Sequence, residues 1–244
     1  MMFTFLLTDI FFYMIVISII LYVNYVRKTP DIRETWSYVF RNKTGIISSV
    51  VLFFFISTAL LDSIHFKEKL YDKEADKYVY TSEIKSLLDI ILLPIHKNSE
   101  KSYSSPFSSY LYSKETVKFT NNKDKRIYPD LLYKGNHNKY SDDNAYNIFI
   151  TGSISIIKIL VLSFFIYMII FRREIFKNNS FLDPLIRNKV FFTSLFLMSL
   201  ITILLYDLGC QYYILGTDKV GEDVLYKSIK SIRTGILIGT LTTI

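Results

Sequence analysis

Cysteine is nearly missing from this chain. Cys210 is the single one among 244 residues, so no intrachain disulfide can form. It abuts an apolar block and reads as a small packing residue. Signatures of nucleotide and hydrolytic chemistry are missing too. There is no G-x-x-x-x-G-K-S/T loop to cradle phosphates, no H-E-x-x-H to hold zinc, and no G-x-S-x-G elbow to present a serine. The three histidines, His65, His96 and His137, are scattered without ligand spacing and read as surface residues. The sequence therefore points away from an enzyme: no catalytic, cofactor-binding or metal-binding residue is expected, and no cofactor.

What is present is apolar. Half of the residues are hydrophobic and 16% are aromatic. They gather in blocks of about 20, the length that crosses the hydrocarbon of a bilayer as a helix. Four blocks are long enough: Phe3 to Val26, Gly45 to Ile64, Ile148 to Phe171 and Val190 to Cys210. A fifth run, "TGILIGTLTTI", starts at Thr234 and reaches only Ile244, too short to span. The first block has no basic segment before it and no small-residue cleavage site after it, so it reads as a retained span rather than a signal peptide. The net charge of +7 does not imply nucleic acid, because the basic residues flank apolar blocks, where membrane topology accounts for them.

The short links give the orientation. Arg27, Lys28, Arg33, Arg41 and Lys43 outweigh Asp31 and Glu34 after the first block. Arg172, Arg173, Lys177, Arg187 and Lys189 outweigh Glu174 and Asp183 after the third. Both links are expected in the cytoplasm, which places the N-terminus, residues 65–147 and the Gly216 segment outside. Residues 65–147 are rich in charge and tyrosine and read as a small folded insertion, α or mixed. Its stretch from Glu83 to Ile95 suits a short helix. Lys158 is the deepest ionisable residue in any span: a functional charge, a lysine facing a partner helix, or one snorkelling from a tilted helix. Asp9 and Asp207 lie near the outer interface and are expected to stay hydrated.

The segment after the fourth block is patterned. Asp218 is a candidate N-cap, with Glu222 and Asp223 in the first turn and Lys227, Lys230 and Arg233 further along, an order that suits the helix dipole. Leu225, Ile229, Ile232 and Ile236 are spaced four, three and four apart and share one face. An amphipathic elbow helix on the outer membrane surface is expected.

The literal residues "LGTDKVGEDVLYKSIKSIRTGILIG" resemble the signature that precedes the second transmembrane helix in C-type permease subunits of bacterial peptide ABC importers, the dipeptide/oligopeptide/nickel family. Leu215, Gly216, Thr217, Asp218, Gly221, Asp223, Val224, Arg233 and Gly239 fall in register without a gap, with Lys227 at a second basic position. "ETWSYVFRNKTGIISSVVLFF", Glu34 to Phe55, is similar to the approach to the first conserved helix of those subunits. Glu222, Ser231 and Gly235 depart from the usual Arg, Gly and Ser. The insertion between the two motifs is longer than usual and brings an extra helix pair. The resemblance covers the family's front end only, and no Glu-Ala-Ala coupling loop is found, so a truncated or split-gene product is expected.

The expected architecture is an all-α integral membrane protein of four transmembrane helices plus the start of a fifth. It divides into residues 1–64, a helix pair with its basic link; 65–147, the extracytoplasmic segment; 148–210, a second helix pair; and 211–244, the elbow and the start of a permease core. The resemblance implies a bacterial inner-membrane protein working with a partner permease subunit, ATP-binding subunits and a substrate-binding protein in the lipid bilayer. The alternative is a small multi-span envelope protein whose outer domain binds a partner or senses a signal.

Overall fold

The computed structural model describes residues 2–72, 77–118, 124–134, 148–161, 163 and 189–243. The chain opens with a short strand, β1 (Met2–Thr4), and a long helix, α1 (Leu7–Lys28). No Pro or Gly interrupts that helix. Asp9 lies in its first turn and Arg27 and Lys28 in its last, each opposing the partial charge of the helix end it occupies. It stops at Thr29, which is extended (φ −106°, ψ 112°) because the following Pro30 crowds the helical conformation. Pro30 then opens α2 (Pro30–Arg41) at a position where its missing N–H costs nothing. One extended residue, Asn42, separates α2 from α3 (Lys43–Ser63). The short basic link expected between the first two spans is thus itself a helix.

Two strands follow α3, namely β2 (His65–Asp72) and β3 (Lys77–Ser86). They form a sheet in the order β1-β2-β3. Its first rung sets Thr4 opposite His65 and His65 opposite Ser86. This pairing holds the start of α1 and the end of α3 at one end of the helix pair. The short helices α4 (Leu87–Ile91) and α5 (Leu93–His96), the hairpin β4 (Glu115–Lys118) and β5 (Asp124–Ile127), and the helix α6 (Ile148–Val161) come next. The chain closes with α7 (Lys189–Gln211) and α8 (Val224–Thr243).

The protein is therefore mostly helical rather than all-α, and the insertion is of the mixed kind. Among the described residues, three helices, α1, α3 and α7, are long and apolar enough to cross a membrane. Few of their residues are buried within the protein, as expected of helices whose apolar surface meets lipid. Of the expected span from Ile148 to Phe171, α6 and Ser163 are seen; the remainder, and the basic link through Arg172, Arg173, Lys177 and Arg187, lie outside the described residues. The elbow helix and the apolar run from Thr234 are one continuous helix, α8.

The chain divides into two compact units. The first is drawn from Met1–Ile91, Leu162–Ser199 and Lys230–Ile244, the second from Leu92–Val161 and Leu200–Ile229. In the first, Phe12 of α1, Ala59 of α3 and Leu237 of α8 form a buried apolar layer, flanked by Ile15, Val16, Leu60 and Ile236. In the second, Leu111, Leu131 and Tyr213 form a core.

Candidate functional site

In the first unit, the three helices that share the apolar layer also share an ionic one. Asp9 stands three residues before Phe12, Asp62 three after Ala59, and Arg233 four before Leu237. Those spacings are one helical turn, so the charges lie on the faces that already converge. Asp9 is fully buried. Its carboxylate accepts hydrogen bonds from the Leu6 amide at 2.9 Å, from His65 Nδ1 at 3.0 Å and from Arg233 Nη2. Arg233 Nη2 also donates to Thr8 Oγ1, and Nη1 lies 3.6 Å from Asp62 Oδ2. Asp62 Oδ1 accepts from the Ser86 hydroxyl at 2.9 Å. Ser86 and Asp89 cap α4 reciprocally: the Ser86 amide donates to Asp89 Oδ2 and the Asp89 amide donates to Ser86 Oγ. Lys230 Nζ then meets both Asp89 oxygens at 2.8 and 3.0 Å.

Three carboxylates thus face an arginine, a lysine and one imidazole. Arginine does not deprotonate in proteins, so Arg233 is the fixed charge around which the carboxylates gather. Burying such groups costs several kcal/mol each unless they are paired and hydrogen-bonded, and here Asp9 has three donors. The arrangement binds α1, α3, α8 and the first sheet rung together. Sequence reasoning placed Asp9 in a hydrated interface, His65 on the surface and Arg233 among the charges that suit the helix dipole. All three are buried. The readable signal was an acid three residues into one apolar helix and another near the end of the next, which antiparallel packing brings level.

The second unit holds the start of the patterned segment. The turn 216–223 needs glycine at two points. Gly216 (φ +77°) and Gly221 (φ +82°) are in the left-handed region, and a Cβ there would stand 2.2 Å from Ser104 O and 1.8 Å from Glu100 O. Thr217 bridges Ser104 through the backbone and donates its hydroxyl to Ser102 O at 2.7 Å. Asp218 Oδ1 accepts the Val220 and Glu222 amides, each at 2.9 Å. Its other oxygen pairs with Lys227, which also reaches Glu222 at 2.8 Å. The Lys227 hydrogen bond, backed by the two amides, holds the Asp218 carboxyl below the usual aspartate range.

Asp218 is therefore the organiser of the turn and not the cap of α8. The cap is Asp223: its Oδ1 accepts the Leu225 amide at 2.9 Å, and its carbonyl takes the first helical hydrogen bond from Lys227. Such a cap is worth about 1 kcal/mol. The other Asp223 oxygen accepts from buried Lys134 Nζ at 2.6 Å, and Lys134 donates to Gly209 O at 2.6 Å and lies 4.6 Å from the Tyr213 ring centroid. Buried Glu100 accepts the Leu132 and Tyr133 amides and the Tyr213 hydroxyl. Burial, and the Glu100 carboxylate beside it, push the Tyr213 phenol up, so it stays a donor.

Lys158 pairs with both oxygens of Asp207 at 2.9 and 3.0 Å, and Ser155 donates to Asp207 at 2.6 Å. Thr151 donates to Gln211 at 2.9 Å. Thr151, Ser155 and Lys158 recur at helical spacing on α6 and meet Gln211 and Asp207 one turn apart on α7, a polar seam between antiparallel helices. Val224 begins α8, and no Cβ clash attends Gly239. His96 stacks on Tyr226 at 4.2 Å, and His137 lies outside the described residues. Among the described residues, no group of three or more His, Cys, Asp or Glu is arranged to hold a metal ion. No family model, no curated protein and no solved structure matches the chain.

Proposed function

We propose that this multi-pass membrane protein is a permease component of an ABC importer for peptides, and that the Gly216 to Arg233 segment leads into its transport core. On this reading the chain carries no catalytic group of its own and draws energy from ATP-binding subunits through a partner permease, with peptide delivered by a substrate-binding protein. The membrane is a bacterial inner membrane, with α2 at the cytoplasmic face and the N-terminus and residues 65–147 outside.

The observation that supports the reading is the division of labour within the motif. Several residues that resemble the permease signature have specific geometric duties here: Gly216 and Gly221 at positive φ, Asp218 in the turn, Asp223 at the cap and Arg233 in the carboxylate cluster, whereas Leu215 is exposed and Gly239 lies in open space. A second reading, an envelope protein that binds a partner through its outer elements, is favoured by the exposed tyrosines Tyr71, Tyr78 and Tyr80 on the β2–β3 hairpin.

Affinity purification of the tagged chain from its own cells, at native expression, separates the two. Recovery of ATP-binding and substrate-binding subunits supports the permease. Recovery of an unrelated envelope protein, with no ABC subunit at any level, sinks it in favour of the second reading.

A further inference from the structure

Helix α2 belongs to neither the ionic centre nor the patterned turn, and none of its residues is buried. Its apolar residues Ile32, Trp36, Val39 and Phe40 fall on one stripe. Trp36 is half-buried, packing edge-on to Tyr22 of α1 and donating its indole N–H to the Tyr22 hydroxyl at 3.3 Å. Phe40 lies 5.8 Å from it, ring to ring. Asp31, Glu34 and, in the last turn, Arg41 lie across the helix from this stripe, whereas Arg33 flanks it. Lys28 ends α1, Arg41 ends α2 and Lys43 begins α3. Among the described residues, Lys28, Arg33, Arg41 and Lys43 have no ion-pair partner.

The position of α2 decides what covers the stripe. Thr29 alone joins it to α1, and Asn42 alone joins it to α3. Both neighbours are long and apolar enough to span. A helix tethered at both ends by single residues to two spans cannot leave the bilayer surface. An amphipathic helix held there lays its apolar stripe at the boundary of headgroups and acyl chains, and indole and phenol rings favour that depth.

We infer that α2 is a lipid-binding helix that recruits anionic phospholipid, with Ile32, Trp36, Val39 and Phe40 at the acyl boundary and Lys28, Arg33, Arg41 and Lys43 holding the phosphate headgroups. The inference requires only that α1 and α3 span, and stands whether or not the chain serves a permease.

Trp36 is the single tryptophan of the chain, so intrinsic indole fluorescence reports on α2 alone. The full-length protein is reconstituted in vesicles of phosphatidylcholine with phosphatidylglycerol, one or the other carrying bromine on its acyl chains. Brominated lipid should quench Trp36 and aqueous acrylamide should not. Brominated phosphatidylglycerol should win over brominated phosphatidylcholine on the order of fivefold in relative affinity. The preference should fall toward unity as salt screens the headgroups, and in the R33Q/R41Q/K43Q variant. The salt titration uses the native chain and carries the test if the variant does not fold. Equal quenching by the two lipids overturns the anion preference. Quenching by acrylamide but not by lipid overturns the membrane seat. Protection from both means that a protein surface covers the stripe, which overturns the proposal as a whole.

Discussion

Arg233 grips Asp9 and Thr8 with one guanidinium nitrogen and reaches Asp62 with the other. Removing it leaves two buried carboxylates without their fixed counter-charge. Arg233→Ala should therefore cost about 3–5 kcal/mol, seen as a large fall in thermal unfolding temperature in detergent; an unchanged temperature would mean that the cluster contributes nothing. Lysine keeps the charge but has a single ammonium, so Arg233→Lys should lose stability as well. Asp218 makes a pH prediction. Its folded pKa is depressed by Lys227 and by the Val220 and Glu222 amides. Its contribution is therefore complete above the unfolded aspartate value of about 3.9 and is lost as pH falls through the lower folded value. Amide chemical shifts of Val220 and Glu222, followed by NMR in micelles, should titrate with a midpoint below 3.9; a midpoint at or above that value contradicts the hydrogen bonds. Neither role was legible in sequence. Asp218 and Asp223 are both acids before a helix, and only the backbone path through two left-handed glycines decides which of them caps.

The spanning helices were legible because their signal is local: an unbroken apolar run with basic residues at one end. The α2 helix was not. Its charges drew attention as topology markers, and its four apolar residues make too short a run to stand out beside two spans. The sheet was hidden for another reason. Strand β1 is three residues long and exists only because β2, sixty residues on, offers it an edge, and no local pattern announces such a pairing. The patterned segment was half legible. The segment is helical, but of the expected face Leu225 alone is buried while Ile229, Ile232 and Ile236 are half-buried, and Arg233 and Leu237 are buried instead; the helix starts at Val224 because the turn occupies 216–223. That turn is tested by its glycines. Alanine at Gly221 would meet the Glu100 backbone at 1.8 Å and hold a positive φ. Gly221→Ala should thus destabilise by more than the roughly 1 kcal/mol of an ordinary glycine exchange, whereas Gly239→Ala, with open space around it, should stabilise or do nothing. Equal effects on unfolding temperature would contradict the turn geometry.

Strands β1 and β2 pair and so hold the start of α1 and the end of α3 together at one end of the helix pair; on the proposed topology, the basic residues around α2 put the opposite end in the cytoplasm. Single cysteines introduced into a Cys210→Ala background at exposed Ser105 and Thr35 should then label from opposite sides, Ser105→Cys from outside in intact cells and Thr35→Cys only after permeabilisation. The reverse pattern would invert the topology, and labelling of both from outside would mean that α1 and α3 do not span. On the proposed reading, that orientation would let the chain receive peptide from an external binding protein. The most direct test of that role is uptake of a radiolabelled oligopeptide by cells deleted for this gene and complemented at matched protein levels. The permease account predicts that deletion abolishes uptake, that the native chain restores it and that Arg233→Ala does not. Uptake unaffected by the deletion, across short and long peptides, would contradict it.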